Sequence, residues 1–185
     1  MLDIVILLVL IWNVYLGFQR GLASQLGQTI LFAIAFLVAS FTYSGVADVL
    51  SLWIPYANPV RGSQALFFES TILFDLDRVF YSGLGFLLVF ILVWIVGRIL
   101  ATFLVFSPWK RTWDSLPASL ISSGLSLLLS WYRIEMLIFI LATIPLPIIQ
   151  DSLSSSFLVQ FMMNLSPFSQ LALRPLWVGR VLGGM

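Results

Sequence analysis

The stretch Val79–Phe106, VFYSGLGFLLVFILVWIVGRILATFLVF, constrains this chain more than any other. About 20 apolar residues suffice for a helix to cross the hydrocarbon of a bilayer, and this run exceeds that length with room for tilt. A soluble helix of similar length would carry a polar stripe at helical spacing, and none is visible here. A chain of 185 residues offers little protein in which to bury such a helix on every side. The stretch therefore reads as a membrane span. Only 9% of the residues are charged, against about 25% in soluble domains, so more spans are expected.

The first run, Leu2–Phe18, has the length of a signal peptide, with Gly21-Leu22-Ala23 as a weak cleavage site. A signal peptide places positive charge before its apolar run. Here Asp3 precedes it and Arg20 follows, which favours an uncleaved span with its N-terminus outside. The second span is read as 22–43, the third as 79–106 and the fourth as 120–149. The fourth is ambiguous between one helix and an interfacial piece, Leu120–Leu129, followed by a short span from Ile134 to Ile149. Val46–Ile54, apolar apart from Asp48 and Ser51, suits a short interfacial helix. In the tail, 151–185, Phe157, Leu158, Phe161, Met162 and Leu165 form an apolar face opposite Ser156, Gln160 and Asn164, again an interfacial pattern. The fold class is all-α: a polytopic membrane protein of about four transmembrane helices with interfacial amphipathic helices, comprising a four-span domain over 1–150 and an amphipathic extracytoplasmic tail.

Chemistry is excluded more readily than assigned. The chain has no cysteine and no histidine, which removes His/Cys metal sites and Ser-His or Cys-His dyads. Asp75-x-Asp77 lacks the further oxygen ligands a hard cation requires. No motif for a membrane zinc protease is present, and an aspartyl type needs a second carboxylate beside Glu135. No cofactor, metal or catalytic residue is expected. The net charge of +1 gives no reason to expect nucleic acid. Two ionisable residues stand out inside spans, Arg98 and Glu135, because burial there is costly and functional by default. An antiparallel arrangement of the third and fourth spans predicts that they pair. Arg133, two residues before Glu135, points to another helical face.

Small residues mark helix contacts. Gly17 and Gly21, and Gly97 and Ala101, are small-xxx-small pairs that admit a neighbouring helix. The alternative for Gly17–Gly21 is the turn out of the membrane, since glycine often ends helices. Asn13, Gly17, Arg20, Ser24 and Gly27 or Gln28 share one face.

An early Asp, an apolar run and then Gly17, Phe18, Arg20, Gly21 and Leu22 ahead of a second span resemble the colicin V production (CvpA-like) family of membrane proteins. The likeness extends through the fourth span to the Pro-rich exit at Thr143–Pro147 and covers about residues 1–150. Where the family has a Gly-rich run, this chain has Ser119, Ser122, Ser123, Gly124 and Ser126. The resemblance implies a multi-pass protein of the bacterial inner membrane, without enzymatic activity, supporting toxin production, secretion or envelope maintenance. The alternative is a small oligomeric channel or carrier with a polar path at Arg98 and Glu135. Expected partners are the bilayer and a second copy or other membrane proteins. Positive residues in short loops stay cytoplasmic; Arg20, Lys110 and Arg111 therefore predict that both chain ends lie outside.

Overall fold

A computed structural model describes residues 1–57, 66–68, 75–104 and 115–179. The expectations for Lys110 and Arg111 lie outside these residues. The described part is helical: α1 (Leu2–Arg20), α2 (Leu22–Trp53), α3 (Leu76–Leu104), α4 (Leu116–Ala142), α5 (Pro147–Ser154), α6 (Phe157–Leu165) and α7 (Ser169–Val178). α1 to α4 are each long and apolar enough to cross a membrane. The protein is an all-α, multi-pass membrane protein.

The helix boundaries follow from local chemistry, and several correct the expectations above. α2 runs unbroken to Trp53, so Val46–Ile54 is its last two turns rather than a separate interfacial helix; nothing before Pro55 breaks the ladder. α4 is one helix, but it begins at Leu116 and ends at Ala142, short of residue 149. Pro117 fits its first turn, where its missing N–H is no loss. Pro145 and Pro147 prevent its continuation, and the chain restarts as α5. Gln150 binds this corner, its amide donating to the carbonyls of Ala142 and Ile144 at 3.1 and 2.8 Å.

The first span does not pair with its neighbour in the chain. α1 packs along α4 and α2 along α3. Half of the most apolar window of α4 is buried, against 17% for α1 and 28% for α2, so α4 is the central helix. Close approach explains both pairings. At Gly17 an added Cβ would lie 2.5 Å from Ser126 Cβ. The hydroxyls of Ser122 and Ser126 there donate to the carbonyls of Gly17 and Asn13, at 2.6 and 2.7 Å. Interhelical bonds of this kind and small residues stand in for the hydrophobic drive that lipid removes. Across α2 and α3, Gly85 lies against the backbone of Tyr43 and Ala47, in a row with buried Ala35 and Ala39.

The tail is docked inside the bundle. α6 buries Val159, Met162 and Met163, while Phe157, Phe161 and Leu165 are exposed; the apolar face expected from the sequence is therefore largely the outer one. Asp3 of α1 caps α6 from across the interface, accepting from Ser156 Oγ at 2.7 Å and from the Leu158 N–H at 2.8 Å. Backbone N–H groups at a helix start favour such a carboxylate. α7 is wound as a π-helix around Pro175, and the Gly179 N–H reaches the Arg174 carbonyl five residues back. π-turns are rare and concentrate at functional sites. α7 places Trp177, fully buried, between Phe86 and Phe139, with ring centroids 5.5 and 5.1 Å away.

Candidate functional site: a bundle divided by an aromatic layer

Measured against α4, the tail enters and leaves again. Trp177 touches Phe139, Ser166 touches Glu135, and Phe168 stacks on Tyr132 at 4.3 Å. Tyr132 is ten residues from the end of α4, about 15 Å at 1.5 Å per residue. α6 and α7 thus form a re-entrant hairpin with Ser166–Phe168 at its tip. Non-helical backbone at such depth is tolerated where protein covers it or it lines a polar cavity. Here Ser166 and Ser169 are buried.

The tip completes a layer of four rings. Phe168 meets Phe36 at 5.6 Å, Phe36 meets Phe32 at 6.5 Å, and Phe32 meets Tyr132 at 6.4 Å. Offset and edge contacts in this range are attractive beyond their burial, and the layer has no polar group except the Tyr132 hydroxyl.

Glu135 lies on the tail side. It is fully buried; one carboxylate oxygen accepts from Ser166 Oγ at 2.9 Å, and the Ser169 backbone N–H and the Trp131 side chain also face the carboxylate. An apolar-lined cleft of about 400 Å³ adjoins this point, bordered by Leu128, Trp131, Phe161, Leu165 and Ser166. Arg174 on α7 also buries an unpartnered Nε.

Arg98 and Glu135 do not pair, contrary to the expectation from the sequence. Arg98 lies over the Trp94 ring, 5.4 Å from its centroid, on the other side of the aromatic layer. Arg133 joins it there, 5.6 Å from the Trp94 centroid and 5.8 Å from that of Phe32. Arg20, at the end of α1, donates to Gln28 Oε1 at 3.0 Å. The three guanidiniums stand close enough to feel one another's charge, and no ion pair neutralises them among the described residues. Phe32 is ten residues from the start of α2, about 15 Å inside the end where α1 turns into α2.

Of the small residues singled out, Gly17 lies against Ser122, Ser123 and Ser126 of α4, and Gly97 against Leu31 of α2, both within one chain. Ala101 is exposed. Gly21 forms the break between α1 and α2, with φ 81° and ψ 157°. Sequence reasoning missed the convergence of Arg20 and Arg133 with Arg98. Only the Arg98 contact had a local signal: Trp94 precedes Arg98 by four residues, the spacing that brings a guanidinium over an indole. It also missed Gln25, a buried polar residue one turn before Gln28 on α2.

No cluster of three or more His, Cys, Asp or Glu occurs among the described residues. No solved structure matches the chain. It is similar to the uncharacterized transmembrane protein YshB of Bacillus subtilis (strain 168), at 27% identity over 177 residues, 96% of this chain and 97% of that protein. The family model described as colicin V production protein matches residues 2–167, a span that runs from the Asp3 cap to the tip of the hairpin, and the chain belongs to that family.

Proposed function

We propose that this protein works without covalent chemistry, as a membrane component that holds or passes a small polar solute in support of export or envelope integrity. The observation that carries the reading is the re-entrant tip: Phe168 closes an aromatic layer between Tyr132 and Phe36, with Glu135 on one side and Arg133 on the other. Transporters build such sites from interrupted helices whose polar groups meet near the membrane centre. Ionisable groups at membrane depth are kept at a cost of at least about 2.5 kcal/mol each on insertion scales, which a purely structural helix bundle has no need to bear. The lack of histidine and cysteine supports a role without catalysis. The family description supplies the link to toxin production.

In this reading the protein sits in the bacterial inner membrane with both ends outside, because Arg20 lies at the α1–α2 turn and positive residues favour the cytoplasm. Labelling of a Gln19→Cys variant by an impermeant thiol reagent in intact cells would reverse that orientation. A second copy remains a proposed partner; with Gly17 and Gly97 engaged within one chain, the exposed Ala101 side of α3 is the surface we assign to it, and loss of a dimer band on Ala101→Trp in cross-linked membranes is the check.

Solute passage is tested in proteoliposomes. Uptake of labelled phosphate and of sodium is compared with that of protein-free vesicles, and Phe168→Ala, which opens the aromatic layer, is expected to raise the flux. Flux no greater than in protein-free vesicles for both proteins would remove the passage reading and leave a structural accessory role.

A further inference from the structure

We propose that Arg20, Arg98 and Arg133 form a binding site for a phosphate-class oxyanion, at the end of the bundle where α1 turns into α2. The inference deepens the reading above by naming a ligand class, but it concerns binding and does not require flux.

Three observations carry it. First, Arg98 and Arg133 both lie over Trp94, so their guanidiniums are separated by no more than the two ring distances laid end to end. The contacts with Trp94 and Phe32 bring the guanidinium carbons within 5.4–5.8 Å of the ring centroids, and the N–H groups of a guanidinium form the fork that matches an oxyanion. Second, the donors are unsatisfied. Arg133 Nη2 and Trp94 Nε1 are buried with no hydrogen-bond partner, and buried donors in native proteins are nearly always paired. Third, the charges are all of one sign. Arg20, Arg98 and Arg133 repel one another in a region where the dielectric is low, and no carboxylate offsets them among the described residues. Glu135, the acidic group of the same helix, is taken up by Ser166 across the aromatic layer.

The geometry also selects among anions. Three guanidiniums exceed what a single carboxylate can satisfy, whereas a phosphate offers several oxygens to several forks. Arg98 and Arg20 are exposed while Arg133 is half-buried, so the site is open at the surface and closed at its inner end. Arg98 lies one turn beyond Trp94 towards the end of the bundle where Arg20 sits, a position that a lipid phosphate can approach from the side and that a soluble phosphate can reach from the water. The two sources share the same chemistry.

The test uses the full chain in dodecyl maltoside micelles in phosphate-free buffer, with the thermal unfolding midpoint and native mass spectrometry as readouts. One arm titrates inorganic phosphate; the other adds phosphatidylglycerol to the micelles. Saturable stabilisation by phosphate assigns the site to a free anion, and stabilisation with retained phosphatidylglycerol alone assigns it to a headgroup. In either case Arg133→Gln is expected to weaken binding about tenfold or more, the scale of one lost charge-assisted contact, and Arg133→Lys to restore part of it. In phosphate-free micelles Arg133→Gln should melt no lower than the parent, since it relieves an unpaired charge; this separates loss of a ligand from failure to fold. No stabilisation in either arm, or equal stabilisation of the parent and Arg133→Gln, would overturn the proposal.

Discussion

At the scale of single residues, the chain handles polar groups by capture rather than by exclusion. Asp3 is satisfied by the start of α6, the serines of α4 by carbonyls of α1, and Tyr43 by the Leu176 carbonyl at 2.8 Å. Each bond joins distant parts of the chain, so it fixes the arrangement of helices as well as satisfying a donor. Gly21 has a different task. Its φ of 81° and ψ of 157° belong to a region essentially restricted to glycine. Gly21→Ala is therefore expected to destabilise the protein by about 1–3 kcal/mol, read as a lower unfolding midpoint in detergent; an unchanged midpoint would show that the α1–α2 turn has another conformation. Legibility at this scale was mixed. The glycine turn was one of two readings open from the sequence. The arginines were visible singly, but their convergence was not, because Arg20 and Arg133 come from helices whose adjacency no local pattern encodes.

At the scale of elements, length and hydropathy reveal the spans well and their ends poorly. α1, α2, α3 and α4 all follow from apolar runs, since the bilayer demands the same thing of each. Their ends depend on prolines and on what the next segment does. Val46–Ile54 was polar enough to read as interfacial, yet with no breaker before Pro55 it extends α2. The tail was misread for a physical reason: amphipathicity assigns one face to protein and one to lipid, but in a membrane both surroundings are apolar, so Phe157, Phe161 and Leu165 can remain outside. Pairing of α2 with α3 rests on Gly85, where a Cβ would come within 2.9 Å of Tyr43 O and Ala47 N. Backbone cannot yield as a side-chain tip can. Gly85→Ala is expected to cost about 1–3 kcal/mol through overpacking. Gly45→Ala on α2, where a Cβ meets nothing within 4 Å, should be neutral or gain about 0.5–1 kcal/mol from helix propensity. Equal effects of the two in thermal unfolding would contradict the close approach.

At the scale of the whole molecule, one central helix, α4, organises the rest. It carries the serines that hold α1, the Tyr132 ring that receives the hairpin tip, Arg133 facing α2 and α3, and Glu135 facing the tail. Two residues apart on one helix, Arg133 and Glu135 serve opposite sides of the aromatic layer, and the layer is complete only because residues 157–178 re-enter the bundle. That re-entry is the claim on which the division of the molecule depends, and the absence of native cysteine makes it directly measurable. A Tyr132→Cys/Phe168→Cys variant in lipid vesicles, treated with a short bifunctional thiol reagent, should cross-link within one chain, because the parent rings stack at 4.3 Å, and Phe168→Cys alone should resist an impermeant thiol reagent. Failure to cross-link together with rapid labelling of Phe168→Cys would place the tail on the membrane surface and contradict the account.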